Sequence, residues 1–492
     1  MLSAFPAHAA LTVNVTDHGA RGDGTVLDNG AINRTIAAVS RAGGGTVVIP
    51  RGHYLCFSIR LLSHVSLRLA EGAVIEAADP ARHAGKYDPP ENNGEQLYQD
   101  FGHSHWHNSL IWGDGIENAA ITGPGLIHGA GLTRDGPGAR WAQQTGERPL
   151  SMHDMSAEEI AQLEPDIALM HGRGNKAIAL RNARNIRLSG FRILKGGHFA
   201  ILASGVDGLV IEDLAIDTER DGIDLDCVRN AQVANCRVNT PNDDAIVLKS
   251  SLALGRAIPT EHVTIRDCTV SGYDMGTMLD GSFRKTQDLA PDRDRVTGRI
   301  KLGTESNGGY RHIRIENCRF ERCRGLALEM VDGGVMEDVV VRGIAMRDVT
   351  TAPFFLRLGD RRRGPEGTGM GAIRGISISG LDAEKIDHRF AATIAGLGSH
   401  AVEDVELKDI RLTYRGGGTA ADAERRPAEL ADAYPEPSMF GILPAWGLWM
   451  RHARDVRIDG LHLETALADA RPPILAENVA GLTVRRAPLW HA

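Results

Sequence analysis

The chain has 492 residues, among them 57 glycines, with 5% aromatic residues and a net charge of −8. Abundant glycine with few aromatics favours tight turns and stacked aliphatic strands over a helical bundle. The negative charge speaks against general nucleic-acid binding, and no run approaches the roughly eighteen apolar residues of a membrane span.

Taken in chain order, residues 1–12 end in a small-x-small pattern around Ala7-His8-Ala9-Ala10. That is the form of a cleaved export signal, so the segment reads as a signal remnant or disordered tail, and the location as secreted or periplasmic. The rest, 13–492, reads as one unit. Ala31 to Val39 is an amphipathic helix inside Thr25–Ala42, and Gly43-Gly-Gly-Thr-Val-Val-Ile-Pro50 is a glycine turn entering a strand. Together, residues of about 15–50 form a cap, because a solenoid exposes its first coil. The triple glycine lacks the Lys-Ser/Thr of a phosphate loop. In His103-Ser-His105-Trp-His107, strand alternation puts three rings on one face. No acid follows at a metal-binding spacing, so the segment reads as a loop packed over a groove. No metal is expected. Ala157–Leu163 is a second short helix, on a loop.

From there an internal repeat dominates. Its unit alternates polar and β-branched residues, bends at Asn, Asp or Gly, and resumes as a second short strand. Copies begin near Asn185, Gly208, Ala231, His262, His312, Asp338, Gly375, Asp404, Asp455 and Gly481, with weaker ones near His64 and Asn118. The first three are spaced by twenty-three residues, too few for a strand-helix-strand crossover. The spacing fits coils of three short strands stacked at about 4.8 Å. The fold predicted is all-β, a single-stranded right-handed parallel β-helix with a small N-terminal helical cap. Insertions at about 80–107, 273–298, 351–372 and 413–452 read as walls of a groove. Cys236, Cys268 and Cys318 recur at one place in the repeat and read as a ladder of small buried thiols.

Acidic residues fall in register on two of these coils: Asp221-Gly-Ile-Asp224-Leu-Asp226, then Asn242-Asp243-Asp244. Asp221 is twenty-two residues from Asp243 and twenty-three from Asp244, about one coil. Neighbouring carboxylates cannot both ionise cheaply, so one holds its proton. An acid and a carboxylate on one groove are what glycosidic-bond hydrolysis needs. Alternation puts Asp224 and Asp226 on the opposite face from Asp221, with at least one bonding backbone in the bend. His198, twenty-three residues before Asp221, is expected one coil below it, facing sugar hydroxyls. Lys249, at a strand end, either contacts substrate or tunes the acids. Arg284, Lys285, Arg357, Arg361, Arg362 and Arg363 sit in the long loops, where guanidinium and ammonium groups suit carboxylates.

With these residues the chain resembles glycoside hydrolase family 28, the polygalacturonases and rhamnogalacturonan hydrolases, from about Val15 onward. The opening His18-Gly-Ala-Arg-Gly-Asp-Gly-Thr25 is shared with other pectin-lyase-like solenoids; Asp217-Thr-Glu-Arg-Asp-Gly-Ile-Asp224 followed by Asn242-Asp-Asp is more specific. The resemblance implies an inverting hydrolase with Asp243 as general acid and Asp221 and Asp244 positioning and deprotonating water. Inversion calls for carboxyls about 6.5–9.5 Å apart. Two departures stand out. In Thr297-Gly298-Arg299-Ile-Lys301-Leu-Gly303-Thr-Glu305, Gly298 replaces the family's histidine. Ala327 and Glu329 stand where the family's Arg-Ile-Lys clamp belongs, while Arg299 and Lys301 lie one coil early. His198, Lys249, Arg299, Lys301, Glu305 and Glu329 are therefore the expected substrate-binding set. Glu329 in a lost clamp favours a neutral sugar such as rhamnose and offers hydrogen bonds to its hydroxyls. The expected partner is pectic polysaccharide or its oligomers, attacked in exo fashion by a monomer, without cofactor, nucleic acid or membrane. The alternatives are a polysaccharide lyase on the same fold, with calcium and a basic proton abstractor, and a non-catalytic polysaccharide-binding β-helix.

Overall fold

The computed structural model describes residues 11–92, 98–136, 152–162, 167–291 and 293–487. The tail read as a signal remnant lies almost wholly outside the described residues. The described strands pair in parallel and form three columns, the right-handed parallel β-helix that the repeat predicts. The column that concerns function contains β1 (Phe199–Ser204), β2 (Asp221–Asp226), β3 (Ile246–Ser250), β4 (Ile300–Ser306) and β5 (Leu326–Met330).

The alternation in each repeat becomes a ladder inside the coil. Ile178, Ile201, Ile223, Ile246 and Ile300 pair in succession, and Leu225, Leu248, Leu302 and Leu328 form a second rung-line beside them. All are fully buried, each contributing roughly 1.5–3 kcal/mol. The bends are as regular. Asn185, Asn230, His262, His312, Asp338 and Asp404 all adopt left-handed backbone, with φ between 51° and 55°. Asn and Asp tolerate that conformation because their short polar side chains bond locally. Cys236, Cys268 and Cys318 are buried free thiols one coil apart, as read.

Helix α1 (Asn29–Arg41) covers the first coil with Ile32, Ile36 and Val39, spaced for one helical face and fully buried. The insertions differ from their sequence reading in detail. Phe354–Leu358 is a strand, inside the segment read as the 351–372 loop, and a further strand begins at Leu448 inside 413–452. The long connection between His128 and Lys176, with a short helix at Ala157–Ala161, is a further insertion, and it leads from a neighbouring column into this one.

Candidate active site

Asp221 opens β2, while Asp243 and Asp244 occupy the bend that leads into β3. Backbone bonds hold this bend between two coils. Gly222 N donates to the Asp244 carbonyl at 3.0 Å, Gly298 N to the Asp243 carbonyl at 2.9 Å, and Ala245 N to the Arg299 carbonyl at 2.8 Å. Thr240 Oγ1 adds a bond to the Asp243 carbonyl at 2.7 Å. The three carboxylates face away from the isoleucine ladder and offer oxygens within 4.8 Å of one another. Each residue keeps 4–6% of its surface exposed. Sequence register thus brought Asp221, Asp243 and Asp244 together. These nearest oxygens lie closer together than the roughly 6.5–9.5 Å expected between the carboxyl groups of an inverting acid and base.

Burial and the Asp243 charge push the Asp221 carboxyl well above the usual carboxylate range. Burial acts on Asp243 as well, but the Arg220 guanidinium, with Arg293 behind it, holds that carboxyl below its usual range. Arg220 Nε and Nη2 both donate to Asp243 Oδ2, at 3.2 and 2.7 Å. Of this pair, Asp221 is the carboxyl that favours holding a proton, and Asp243, the residue expected as acid, is ion-paired. Asp244 Oδ1 accepts from Arg299 Nε at 2.8 Å, and Lys301 Nζ lies 3.6 Å from Asp244 Oδ2.

His198 is offset by one residue from its expected place. Phe199, not His198, pairs with Asp221, because this coil is twenty-two residues long rather than twenty-three. The ring stands beside Arg220 instead, with Nδ1 3.1 Å from Arg220 Nη1 and 2.8 Å from the Arg134 carbonyl. Burial and Arg220 keep the imidazole well below its ordinary pKa, and its buried Nε2 has no hydrogen-bond partner. Lys249 lies on the groove side, 3.2 Å from Asp224 and 3.4 Å from Glu305. Asp224 is thus fully buried beneath Lys249, on the side of the acids and not on the opposite face that alternation predicted. Asp226 has the structural role expected of one of the pair, accepting from Ser251 N at 2.8 Å and Ser251 Oγ at 2.6 Å.

Arg299 and Lys301 do face the cluster from one coil above it. Glu329 lies on the next coil, fully buried, 3.2 Å from Lys301 Nζ and 3.3 Å from Thr304 Oγ1. It anchors Lys301 and presents no exposed oxygen to a sugar hydroxyl. Burial pushes its carboxyl up to about 7 despite Lys301 and Arg299. Glu305 pairs with Lys249, which with His103 holds it below its usual range against the effect of burial. Gly298 has a physical reason to be glycine. Its φ is 62°, and a Cβ there would lie 2.1 Å from the Ser271 carbonyl, so no histidine fits this backbone.

The three histidines of 103–107 do not share a face, since Phe101–Ser104 is a helical turn and not a strand. His103 sits between Asp100 at 2.7 Å and Asp224 at 3.2 Å. Burial opposes its charge, yet Asp100 raises it to about 10. His105 stacks on Phe101. His107 meets Glu91 and Asp114, acids that sequence spacing did not reveal; these three offer donors within 4.8 Å, as the aspartate triad does. Among the described residues these are the two groups with cation-binding spacing. In the first, Arg181 already stands 3.5 Å from Asp114. Of the loop cations, Arg357 is buried on the carbonyls of Gly396, Glu429 and Leu430, Arg361 pairs with Asp332, and Arg363 lies 3.6 Å from Glu305. Arg284, Lys285 and Arg362 are exposed.

Sequence reasoning missed Arg220, Arg324, Tyr434 and Glu436. Arg220 lay inside the quoted motif, but only the fold aims it at Asp243. Glu436 is 137 residues from Arg299 and has no local signature.

The comparisons agree with this fold and with the family the motif resembles. A family model described as "Rhamnogalacturonase A/epimerase, pectate lyase-like" matches residues 12–100. A probable polygalacturonase of Vitis vinifera is 23% identical over 459 residues, covering 89% of this chain and 79% of its own. An exopolygalacturonase from Thermotoga maritima superposes with a TM-score of 0.64 at 19% identity, covering 94% of this chain and 93% of that one. A family 28 exopolygalacturonase from Yersinia enterocolitica gives 0.64 at 18% identity, covering 98% and 79%. The chain is similar to polygalacturonases along most of its length, in sequence and in fold.

Proposed function

We propose that the chain is a glycoside hydrolase that cleaves glycosidic bonds in pectic polysaccharide or its oligomers. The observation that carries this reading is the cluster of Asp221, Asp243 and Asp244, offering oxygens within 4.8 Å of one another on one side of the coil. Its likeness to named polygalacturonases supports the substrate class. Asp243 acts as general acid, which requires Arg220 to leave it for the substrate and the proton to cross from Asp221. The acid then gives that proton to the bridging oxygen as the C–O bond breaks. A water oxygen held by Asp221 and Asp244 bonds the anomeric carbon from the opposite face, and one of its protons passes to Asp221, replacing the proton that crossed to Asp243. Inversion follows the family resemblance rather than the close spacing of the carboxyls.

The test is product analysis with purified protein on homogalacturonan and rhamnogalacturonan, reading the anomer of the first product by proton NMR. Saturated reducing ends with inverted configuration support the reading. A retained anomer overturns inversion alone. Unsaturated ends absorbing in the near ultraviolet make the protein a lyase and overturn hydrolysis.

A further inference from the structure

Arg299 points its Nε at the catalytic Asp244 and turns the rest of its guanidinium to another carboxylate, Glu436 of the insertion before Leu448. Arg299 Nη2 donates to Glu436 Oε1 at 2.7 Å and Nη1 to Oε2 at 3.0 Å, while Arg324 Nη1 donates to Oε2 at 2.5 Å. This is the two-pronged geometry in which arginine recognises any carboxylate. Arg299 and Arg324 are each 1% exposed and Glu436 is 6%. The same insertion brings Tyr434, whose ring covers the Lys301 ammonium at 5.4 Å. Around Asp244, three cations (Arg299, Lys301 and Arg324) thus meet three carboxyl groups (Asp244, Glu329 and Glu436), and the insertion covers all three cations, Arg299 and Arg324 with Glu436 and Lys301 with Tyr434.

We infer that Glu436 is a built-in counter-anion which fills the cationic pocket beside Asp244 and makes the adjoining sugar subsite selective for a neutral sugar. This deepens the hydrolase reading and rests on it. An incoming uronate carboxylate finds the arginine fork occupied. To bind there it must displace Glu436, leaving a desolvated carboxylate without its partners. A neutral sugar needs no such exchange. Selectivity against the acidic sugar therefore comes from a residue outside the repeat, on an insertion that folds back over the groove.

Glu436→Gln keeps the shape and removes the charge. Two measurements test it. The first is kcat/KM of the native protein on oligomers carrying either rhamnose or galacturonate at the cleaved residue. The second is calorimetric binding of galacturonate and rhamnose to native and variant protein, which does not depend on turnover. The native protein is expected to prefer the rhamnose-bearing oligomer by about tenfold or more, and the variant to gain galacturonate affinity with rhamnose affinity unchanged. Equal or better native turnover of the galacturonate oligomer overturns the inference while leaving hydrolysis intact. So does unaltered galacturonate affinity in a folded variant. Should the variant not fold, the native preference decides alone. If the native protein cleaves neither oligomer, the hydrolase reading fails, and with it the selectivity inferred for its subsite.

Discussion

The split ionisation of the aspartates sets up a comparison of Asp243→Asn with Asp221→Asn. If Asp243 is the acid, its amide cannot protonate a sugar leaving group, and turnover of a natural oligomer should fall by about 10²–10⁴. An aryl glycoside with a good leaving group needs no such proton, so its cleavage should fall less than about tenfold. Asp221→Asn removes the water-activating partner and should impair both substrates alike. Stability should divide the other way. Breaking a buried ion pair costs about 3–5 kcal/mol, but the Arg220 side chain is 21% exposed, so about 1–3 kcal/mol is expected for Asp243→Asn. Asp221 favours its protonated form, and an amide should replace it at little cost. Its raised pKa adds a pH signature. Stability from a raised carboxyl is complete below about 4 and is lost as pH rises toward the folded value. Asp221→Asn should abolish that slope. The assays are steady-state kinetics on both substrate classes and thermal unfolding across pH. Rescue of Asp221→Asn, rather than Asp243→Asn, by the aryl substrate would refute the assignment of roles.

Lys249→Met should destabilise the protein by about 3–5 kcal/mol, because Asp224 and Glu305 lose a buried cation; thermal unfolding checks this. Glu329→Gln should flatten the pH dependence of stability between about 4 and 7. The native Glu329, pushed up to about 7, stabilises fully below that window and loses its contribution as pH rises through it. Since all six cysteines are free thiols, a reductant should leave the unfolding temperature unchanged; a fall of several degrees would reveal a disulfide.

Much of this protein was legible in one dimension. Each rung needs an inward aliphatic residue and each bend a residue that accepts left-handed backbone, so Ile201, Ile223 and Ile246, with Asn185 and Asn230, announce the coil. The same period placed Asp221 beside Asp243 and Asp244. Its precision ended at one residue: a coil of twenty-two put Phe199, and not His198, against Asp221. Gly298 also looked like a lost catalytic side chain, although the Ser271 carbonyl leaves no room for one.

The chain alone therefore determined the architecture and the three carboxylates, because both repeat with the coil and pair with near neighbours. Only the tertiary structure decided which charges meet them. Arg220 at Asp243, Arg299 at Asp244, and Glu436 at Arg299 depend on how non-repeating side chains and insertions fold across the groove. Coulomb interactions are set by distance in space, and a separation of 137 residues along the chain says nothing of a 2.7 Å contact.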